Sequence, residues 1–230
     1  KYIIRLLILM AAMICFHACG KNTQITDKSS ILPKTDTNVT QKREEETLSS
    51  IYKTVTIGSQ EWMVENLNVD HYRNGDLIPE IRDFNVWDTI RTGAWCYYYN
   101  DSAYGNTYGK LYNCYAVNDP RGLAPEGWHI PSTDEWIKLT EYLGGRETAG
   151  GKLKDTTLWE NPNLGATNES GFSAIPVGAR RDDGFVFLGK VCCFWSSSEF
   201  GYFYYLGYSY SNFCRIIADK NWGMSVRCIT

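Results

Sequence analysis

Cysteine and histidine are the residues of this sequence that could support nucleophilic or metal chemistry. The chain has eight cysteines and three histidines. It contains no Cys-x-x-Cys pair, which excludes a zinc ribbon. His71 and His129 lie far apart, and the position of His129 between Trp128 and a helix start favours a structural role. We therefore predict no metal site and no cofactor.

Catalytic signatures are equally sparse. The sequence has no Gly-x-Ser-x-Gly elbow, and the serines at 196–198 follow an aromatic run, where a polar strand end is the favoured interpretation. Two carboxylates could converge for glycoside cleavage in any fold, but the sequence favours no particular pair. We predict no catalytic residue from these patterns.

One cysteine does fall in a modification motif. Lys1 and Arg5 precede a largely apolar stretch that ends at Ala18 and Cys19. A small residue directly before Cys, after an apolar run, resembles a bacterial lipobox. Residues 1–18 are then a signal peptide, and Cys19 receives lipid after cleavage. The alternative is an ordinary secretory signal with an incidental cysteine.

The segment after Cys19 differs sharply from the rest of the chain. Residues 20–50 are polar and contain no aromatic residue, so they cannot bury enough apolar surface to offset their ordering entropy. We expect residues 19–50 to be the lipidated cysteine and a flexible tether, and residues 51–230 to be one domain. The predicted location is the cell envelope, on the outer membrane, with the periplasmic or surface face left open.

Composition limits the classes of partner. The net charge is −3, and no cluster of Lys and Arg provides the basic footprint of a nucleic-acid-binding protein. Aromatic residues make up 14% of the chain. The predicted partners are therefore a membrane, through the lipid anchor, and a glycan or protein ligand, with no nucleic acid.

Periodicity predicts the elements of the domain. Residues 52–64 alternate as a hairpin around Gly58, and Ser132 and Glu135 have capping-box spacing at the start of a helix. A shorter helix is expected near 147–154. Short strands are predicted at 95–99, 111–117, 172–178, 185–188, 194–197, 202–206, 214–218 and 224–229. The order predicts an α+β fold of short antiparallel strands with two helices in the middle of the chain.

Eight ordered motifs resemble a known family. They are TVTIG at 54–58, WMVENL at 62–67, YGKLYNCYAV at 108–117, GWHIPS at 127–132, GGKLK at 150–154, GFSA at 171–174, FWSSSE at 194–199 and SVRC at 225–228. In this order they are similar to the Fibrobacter succinogenes major paralogous domain, over residues from about 52 to the C-terminus. The resemblance implies an exported or lipid-anchored bacterial protein and a fold related to C-type lectin-like domains and formylglycine-generating enzymes. It carries no set of catalytic residues.

A lectin-like fold would place the ligand loop just before the last strands. The tyrosine-rich run at 200–210 leads into that region. Tyrosine combines a flat apolar ring with a hydroxyl, which suits both sugars and protein hot spots. The alternative is a purely structural role, in which the run forms strands with one aromatic face in the core. The candidate ligand-binding residues are Tyr208, Tyr210, Asn212, Arg215, Lys220 and Asn221.

The resemblance also bears on disulfides. Cys96 and Cys228 fall where relatives commonly have cysteine, so we predict a bridge between them, with Cys214 and either Cys192 or Cys193 as a second pair. The alternative is that most of these cysteines are buried thiols.

These observations predict a lipid-anchored, non-catalytic binding module of the cell envelope that recognises a glycan or protein ligand. Two alternatives remain open at this point. One is an envelope enzyme, either carbohydrate-active or similar to formylglycine-generating enzymes, and the other is a structural display scaffold.

Overall fold

Short strands and short helices alternate along the chain. The computed structural model describes residues 52–182, 184–198 and 200–230. In these residues the strands are β1 (Thr54–Ile57), β2 (Gln60–Met63), β3 (Trp95–Cys96), β4 (Leu111–Tyr112), β5 (Ala179–Arg181), β6 (Gly184–Val186), β7 (Val191–Trp195), β8 (Tyr202–Gly207) and β9 (Cys214–Ile217). The helices are α1 (Phe84–Thr89), α2 (Gly105–Tyr108), α3 (Cys114–Val117), α4 (Thr133–Tyr142) and α5 (Arg146–Leu153), with 3₁₀ turns at Tyr98–Asn100 and Ser102–Tyr104.

The strands pair antiparallel in four small sheets within this described part of the chain. Three sheets are two-stranded (β1–β2, β3–β4 and β5–β6), and the fourth has β8 between β7 and β9. In the fourth sheet Cys193 lies opposite Tyr205, and Phe203 lies opposite Ile216. Because side chains alternate along a strand, these four residues share one face of the sheet.

Two predictions of local structure are confirmed. The β1–β2 hairpin forms around Gly58, whose φ of +65° is the left-handed conformation that glycine adopts without strain. Helix α4 has the expected capping box: the Ser132 side chain accepts from the Glu135 backbone N–H, and the Glu135 side chain accepts from the Ser132 backbone N–H. Both features depend on neighbouring residues alone, so the local sequence determines them.

The predicted α+β class with a C-type lectin-like arrangement is wrong. The described residues form small antiparallel sheets with few helices, and no specific lectin fold is present in them. The strand expected at 172–178 makes only isolated bridges, because Ser173 and Gly178 have positive φ angles that interrupt an extended strand. The strand expected at 111–117 ends after two residues, because Asn113 caps α3. Residues 224–229 also contribute only isolated bridges.

Aromatic side chains dominate the hydrophobic clusters. One cluster contains Trp128, Trp195 and Cys228, and a second contains Trp62, Trp136, Phe172, Phe194 and Tyr204. A third cluster contains Trp87, Cys96 and Tyr98. In the second cluster the rings of Trp62 and Trp136 lie 4.8 Å apart between centroids. Burial of rings this large stabilises the fold by about 2–3 kcal/mol for each side chain.

Three buried cations bind the loops between these elements. Lys154, Arg180 and Arg227 are at most 1% exposed, and none forms an ion pair with another described residue. Their N–H groups instead donate to backbone carbonyls at 2.6–3.2 Å. The acceptors are Leu164, Gly207 and Tyr210 for Lys154; Ile81, Arg82 and Asp83 for Arg180; and Met63, Val64 and Phe172 for Arg227. Most of these carbonyls lie in loops, and those of Met63 and Gly207 lie at the last residue of a strand, so the cations satisfy acceptors where regular pairing ends.

Candidate functional site

The tyrosine-rich segment forms β8 and the turn that follows it. Tyr204 and Leu206 pack into the second hydrophobic cluster, whereas Phe203 and Tyr205 lie on the other face of the sheet. This second face borders a cavity of about 230 Å³. One face of β8 therefore packs in the core, as the alternative interpretation expects. The other face contributes to an open cavity.

We call this cavity the aromatic groove. Five aromatic rings line it, and they come from β8, from the loops after β6 and β8, and from the segment after β9. Arg181 of β5 and Ile216 of β9 also line the groove and could contact a ligand. The five rings are those of Phe187, Phe203, Tyr205, Tyr210 and Trp222.

The rings of the groove contact one another at tilted to perpendicular angles, from 41° to 88°. The Tyr205 and Tyr210 centroids are 6.3 Å apart with an interplanar angle of 88°. Phe203 lies 6.0 Å from Tyr205 and 6.3 Å from Trp222. This tilted and edge-to-face packing holds the rings while leaving parts of their faces available to a ligand. At Trp222 the Arg181 guanidinium lies 4.3 Å from the ring centroid, within cation–π distance.

The two tyrosine hydroxyls in the groove are neutral at physiological pH. Burial raises the pKa of Tyr210, and the nearby Tyr205 hydroxyl raises it further. Burial likewise raises the pKa of Tyr205, with the Cys214 thiol as a second cause. A protonated phenol both donates and accepts a hydrogen bond. The groove therefore offers apolar ring faces and two hydroxyls, beside the Arg181 guanidinium, which also pairs with Asp182 at 4.0 Å.

Phe187 has a backbone conformation that the core does not explain. Its φ is +66°, which is unusual for a bulky residue with a Cβ and stores strain of about 1–3 kcal/mol. Its side chain is 48% exposed, so burial offsets little of that strain. The conformation nevertheless places an aromatic ring on the groove. Strain of this kind concentrates at binding and catalytic sites.

Lys154 fixes the turn that positions Tyr210. Its Nζ donates to the Gly207 carbonyl at 2.9 Å and to the Tyr210 carbonyl at 2.9 Å. Burial lowers the pKa of Lys154 to about 8. Gly207 lies directly against the Tyr210 ring, where a Cβ would collide with the ring atoms. The glycine and the buried cation together set the place of the Tyr210 ring in the groove.

The structure places Tyr210 in the aromatic groove but puts the other five predicted ligand residues elsewhere. Tyr208 packs against the second hydrophobic cluster. The Asn212 amide donates to the Glu147 carboxylate at 2.8 Å. Arg215 lies on β9, with its guanidinium 4.9 Å from the Tyr202 ring.

The remaining two predicted residues, Lys220 and Asn221, also lie outside the lining of the aromatic groove. Lys220 borders a separate pocket beside Cys114. Asn221 is buried, and its amide donates to the carbonyls of Trp87, Asp88 and Ile90 at the end of α1. It stabilises a helix end and is not available to a ligand.

Sequence reasoning missed Arg181, Phe187 and Trp222. Trp222 directly follows Asn221, which was a predicted ligand residue, so it was close to a segment that the sequence had indicated. No sequence signal places them on one surface, because β5, β8 and the segment after β9 meet only in the folded chain.

A Ser–Glu–His cluster at the start of α4 has the residue types of a catalytic triad but the wrong order. The Glu135 carboxylate lies between its partners, 2.7 Å from His129 Nε2 and 2.8 Å from Ser132 Oγ. The imidazole therefore cannot take the serine proton. Burial acts to raise the pKa of Glu135, but the hydrogen bonds from Ser132 and His129 outweigh it and lower the pKa. This cluster caps a helix.

Neither metal ligation nor membrane insertion is visible in the described residues. They contain no group of three or more His, Cys, Asp or Glu side chains that could hold a metal ion. None of their helices is both long and apolar enough to cross a bilayer.

Comparison with protein families supplies the assignment. The profile of the Fibrobacter succinogenes major domain matches residues 55–230. The chain belongs to this family. No curated protein and no solved structure shows significant similarity to the chain. The aromatic groove, built by residues between 181 and 222, lies within the matched region.

The six cysteines of this family domain are buried thiols in the structure. Burial raises the pKa of Cys96 to about 11 and the pKa values of Cys193 and Cys228 to about 12. Thiols with such pKa values carry almost no thiolate at neutral pH and react slowly. Cys19, the predicted lipidation site, lies outside the described residues.

The predicted Cys96–Cys228 bridge is not formed in this structure. Trp95 packs into the same cluster as Cys228, while its neighbour Cys96 faces the third cluster on the opposite side of β3. The second predicted pair fails on distance. Cys192 and Cys193 lie on β7 and Cys214 lies on β9, with β8 between the two strands. Either β7 cysteine is therefore at least about 9–10 Å from Cys214, and a disulfide needs Cα atoms within about 7 Å.

We expect thiol counting to distinguish bridged from free cysteines. In protein with Cys15 and Cys19 changed to Ser, unfolding in denaturant without reductant should expose all six domain thiols to Ellman's reagent. The folded protein should react slowly, because the thiols are buried. Recovery of four or fewer thiols after unfolding would contradict the structure, and peptide mapping would then show whether Cys96 and Cys228 are joined.

Proposed function

We propose that this protein is a lipid-anchored, non-catalytic binding module of the bacterial cell envelope. Its aromatic groove holds the ligand, which is a glycan or a protein segment. Cys19 is the lipidated residue, the anchor is in the outer membrane, and residues 20–50 let the domain reach away from the membrane surface. Membership of a family whose name records no activity leaves the groove as the main guide to function.

The observation that carries the proposal is the set of rings assembled on one open surface. Phe187 is held there at a cost in backbone strain and remains half exposed. Trp222 and Tyr210 are only partly buried beside it. A domain that used these rings for stability alone would bury them, as it buries Trp62 and Trp136. Partly exposed aromatic anchors are typical of binding surfaces.

The groove chemistry suits recognition rather than bond cleavage. Ring faces bind the apolar faces of sugars or apolar side chains, and the Tyr205 and Tyr210 hydroxyls can orient polar groups. The lining holds no carboxylate among the described residues and only the buried Cys193 thiol as a nucleophile, and burial raises the pKa of that thiol to about 12. These features support a binding role.

Tyr210→Ala is the test of the groove, with Tyr208→Ala as its matched control. Binding is measured on a glycan array and on a random peptide library displayed on phage. We expect Tyr210→Ala to weaken binding of any captured ligand by about 1–2 kcal/mol, because the ring is a direct contact. Tyr208→Ala should leave affinity unchanged and lower the free energy of unfolding, because Tyr208 packs on the second cluster.

Phe187→Gly separates binding from folding. Glycine adopts a positive φ freely, so this variant removes the ring and the strain together. Affinity should fall while the free energy of unfolding stays level or rises. Equal affinity of wild type, Tyr210→Ala and Phe187→Gly for every captured ligand would refute the groove as the binding site, and so would a protein that captures nothing from either library.

Lipid attachment is tested independently of the ligand. Cells expressing the wild type or Cys19→Ser are labelled with a clickable fatty acid. We expect label only in the wild type and an unprocessed precursor in the variant, because acylation at the cysteine thiol precedes cleavage in this class of signal. Equal labelling of the two proteins would exclude Cys19 as the modified residue.

A further inference from the structure

The outer edge of β9 is an unpaired strand edge next to the aromatic groove. β9 pairs with β8 on one side and with no other strand of the described chain. The Ala218 N–H donates to the Gly201 carbonyl on the β8 side, and the Phe213 N–H donates to the Arg146 carbonyl on the other side. By strand alternation, the backbone groups of Arg215 and Ile217 therefore point outward, away from β8.

The side chains along this edge are unusually apolar for a free strand. Ile216 is 51% exposed and Ile217 is 56% exposed, on opposite faces of β9. Proteins normally protect such an edge with lysine, proline, a bulge or a covering loop. Here Ile216 lines the aromatic groove, so the groove and the open edge form one continuous surface.

Two arginines flank the open edge without carboxylate partners. Arg146 is the first residue of α5 and lies beside the start of β9, where its guanidinium contacts the Cys214 sulfur at 3.4 Å. Arg215 stacks on the Tyr202 ring within the same strand pair. Among the described residues neither forms an ion pair. Arg181 in the groove already pairs with Asp182 at 4.0 Å, so Arg146 and Arg215 are the residues that give this surface a positive field complementary to acidic side chains.

We propose that β9 receives an extended acidic polypeptide segment as an added strand. The segment pairs its backbone with Arg215 and Ile217, directs alternate apolar side chains over Ile216 into the aromatic groove, and places carboxylates beside Arg146 and Arg215. This is β-augmentation, in which main-chain hydrogen bonds supply affinity and side-chain pockets supply specificity. The inference rests on the proposed function and narrows its ligand from glycan or protein to an acidic extended peptide.

A random dodecapeptide phage library provides the test. The bait is the full chain with Cys19→Ser, which carries no lipid and retains residues 1–18. We expect selected peptides to alternate acidic and apolar residues. Binding of a selected peptide should fall about tenfold or more in Ile217→Pro, which deletes the outward N–H, and by less than about twofold in Ile217→Thr, which keeps it. Arg215→Gln should weaken binding and reduce its dependence on salt.

A second measurement holds even if Ile217→Pro does not fold. N-methylation of alternate amides in a selected peptide blocks one edge of an added strand and leaves the other edge intact. Two peptides are compared, one methylated at the odd-numbered amides and the other at the even-numbered amides. One of them should lose binding to the wild type, and the other should keep it. Binding should also slow amide hydrogen exchange at Arg215 and Ile217.

Several outcomes overturn the strand addition. They are enrichment of basic peptides, equal binding of the two methylated peptides, and a concentration-dependent dimer that Ile217→Pro abolishes, which would make a second copy the occupant. If instead a glycan binds and depends on Tyr210 but not on Ile217, the strand addition fails while the proposed function stands. If neither library yields a ligand, both fail.

Discussion

Hydrogen bonds from buried cations to loop carbonyls are the interactions on which the rest of this fold depends. Strands of two to six residues leave most of the backbone outside any sheet. A buried carbonyl without a donor costs about 1–3 kcal/mol, so the loops need donors from elsewhere. Lys154, Arg180 and Arg227 supply them, and each cation is in turn solvated by the carbonyls it binds.

This arrangement explains how a site can form on irregular structure. Arg227 joins the segment after β2 to the Phe172 loop, and Arg180 fixes the backbone that enters α1. Lys154 fixes both ends of the turn after β8. Because that turn carries Tyr210, the geometry of the aromatic groove follows from a buried ammonium group rather than from a long strand. Gly207 then allows the Tyr210 ring to approach the sheet.

The sequence predicted features that neighbouring residues determine. The capping box of α4 and the hairpin around Gly58 depend on residues within a few positions of one another, and both are confirmed. The family assignment rests on ordered motifs and is likewise confirmed over residues 55–230. The tyrosine-rich run at 200–210 contributes Phe203, Tyr205 and Tyr210 to the lining of the aromatic groove, and its role in binding stays a prediction.

Features that depend on contacts between residues far apart in the chain could not be predicted from the sequence. Lys154 and Arg227 look like ordinary solvated cations in the sequence, and nothing local marks them as buried. Asn221 seemed a ligand residue because it is polar and near the last strands, yet its amide serves carbonyls more than 130 positions away. The lectin-like arrangement came from the family resemblance alone, and the strand predicted at 172–178 is interrupted by positive φ angles at Ser173 and Gly178.

The most direct measurement is the free energy of unfolding of Lys154→Met against the matched variant Lys190→Met. Methionine keeps much of the shape of lysine, so a cavity contributes little and the lost donors dominate. Lys190 is exposed and pairs with Glu160 at 3.6 Å, where replacement should change stability by about 0.5 kcal/mol or less. We predict that Lys154→Met loses about 2–4 kcal/mol, because the Gly207 and Tyr210 carbonyls lose their Lys154 donor, whereas the Leu164 carbonyl keeps the Ser211 hydroxyl. A Lys154→Met protein as stable as the wild type would contradict the central role of the buried cations.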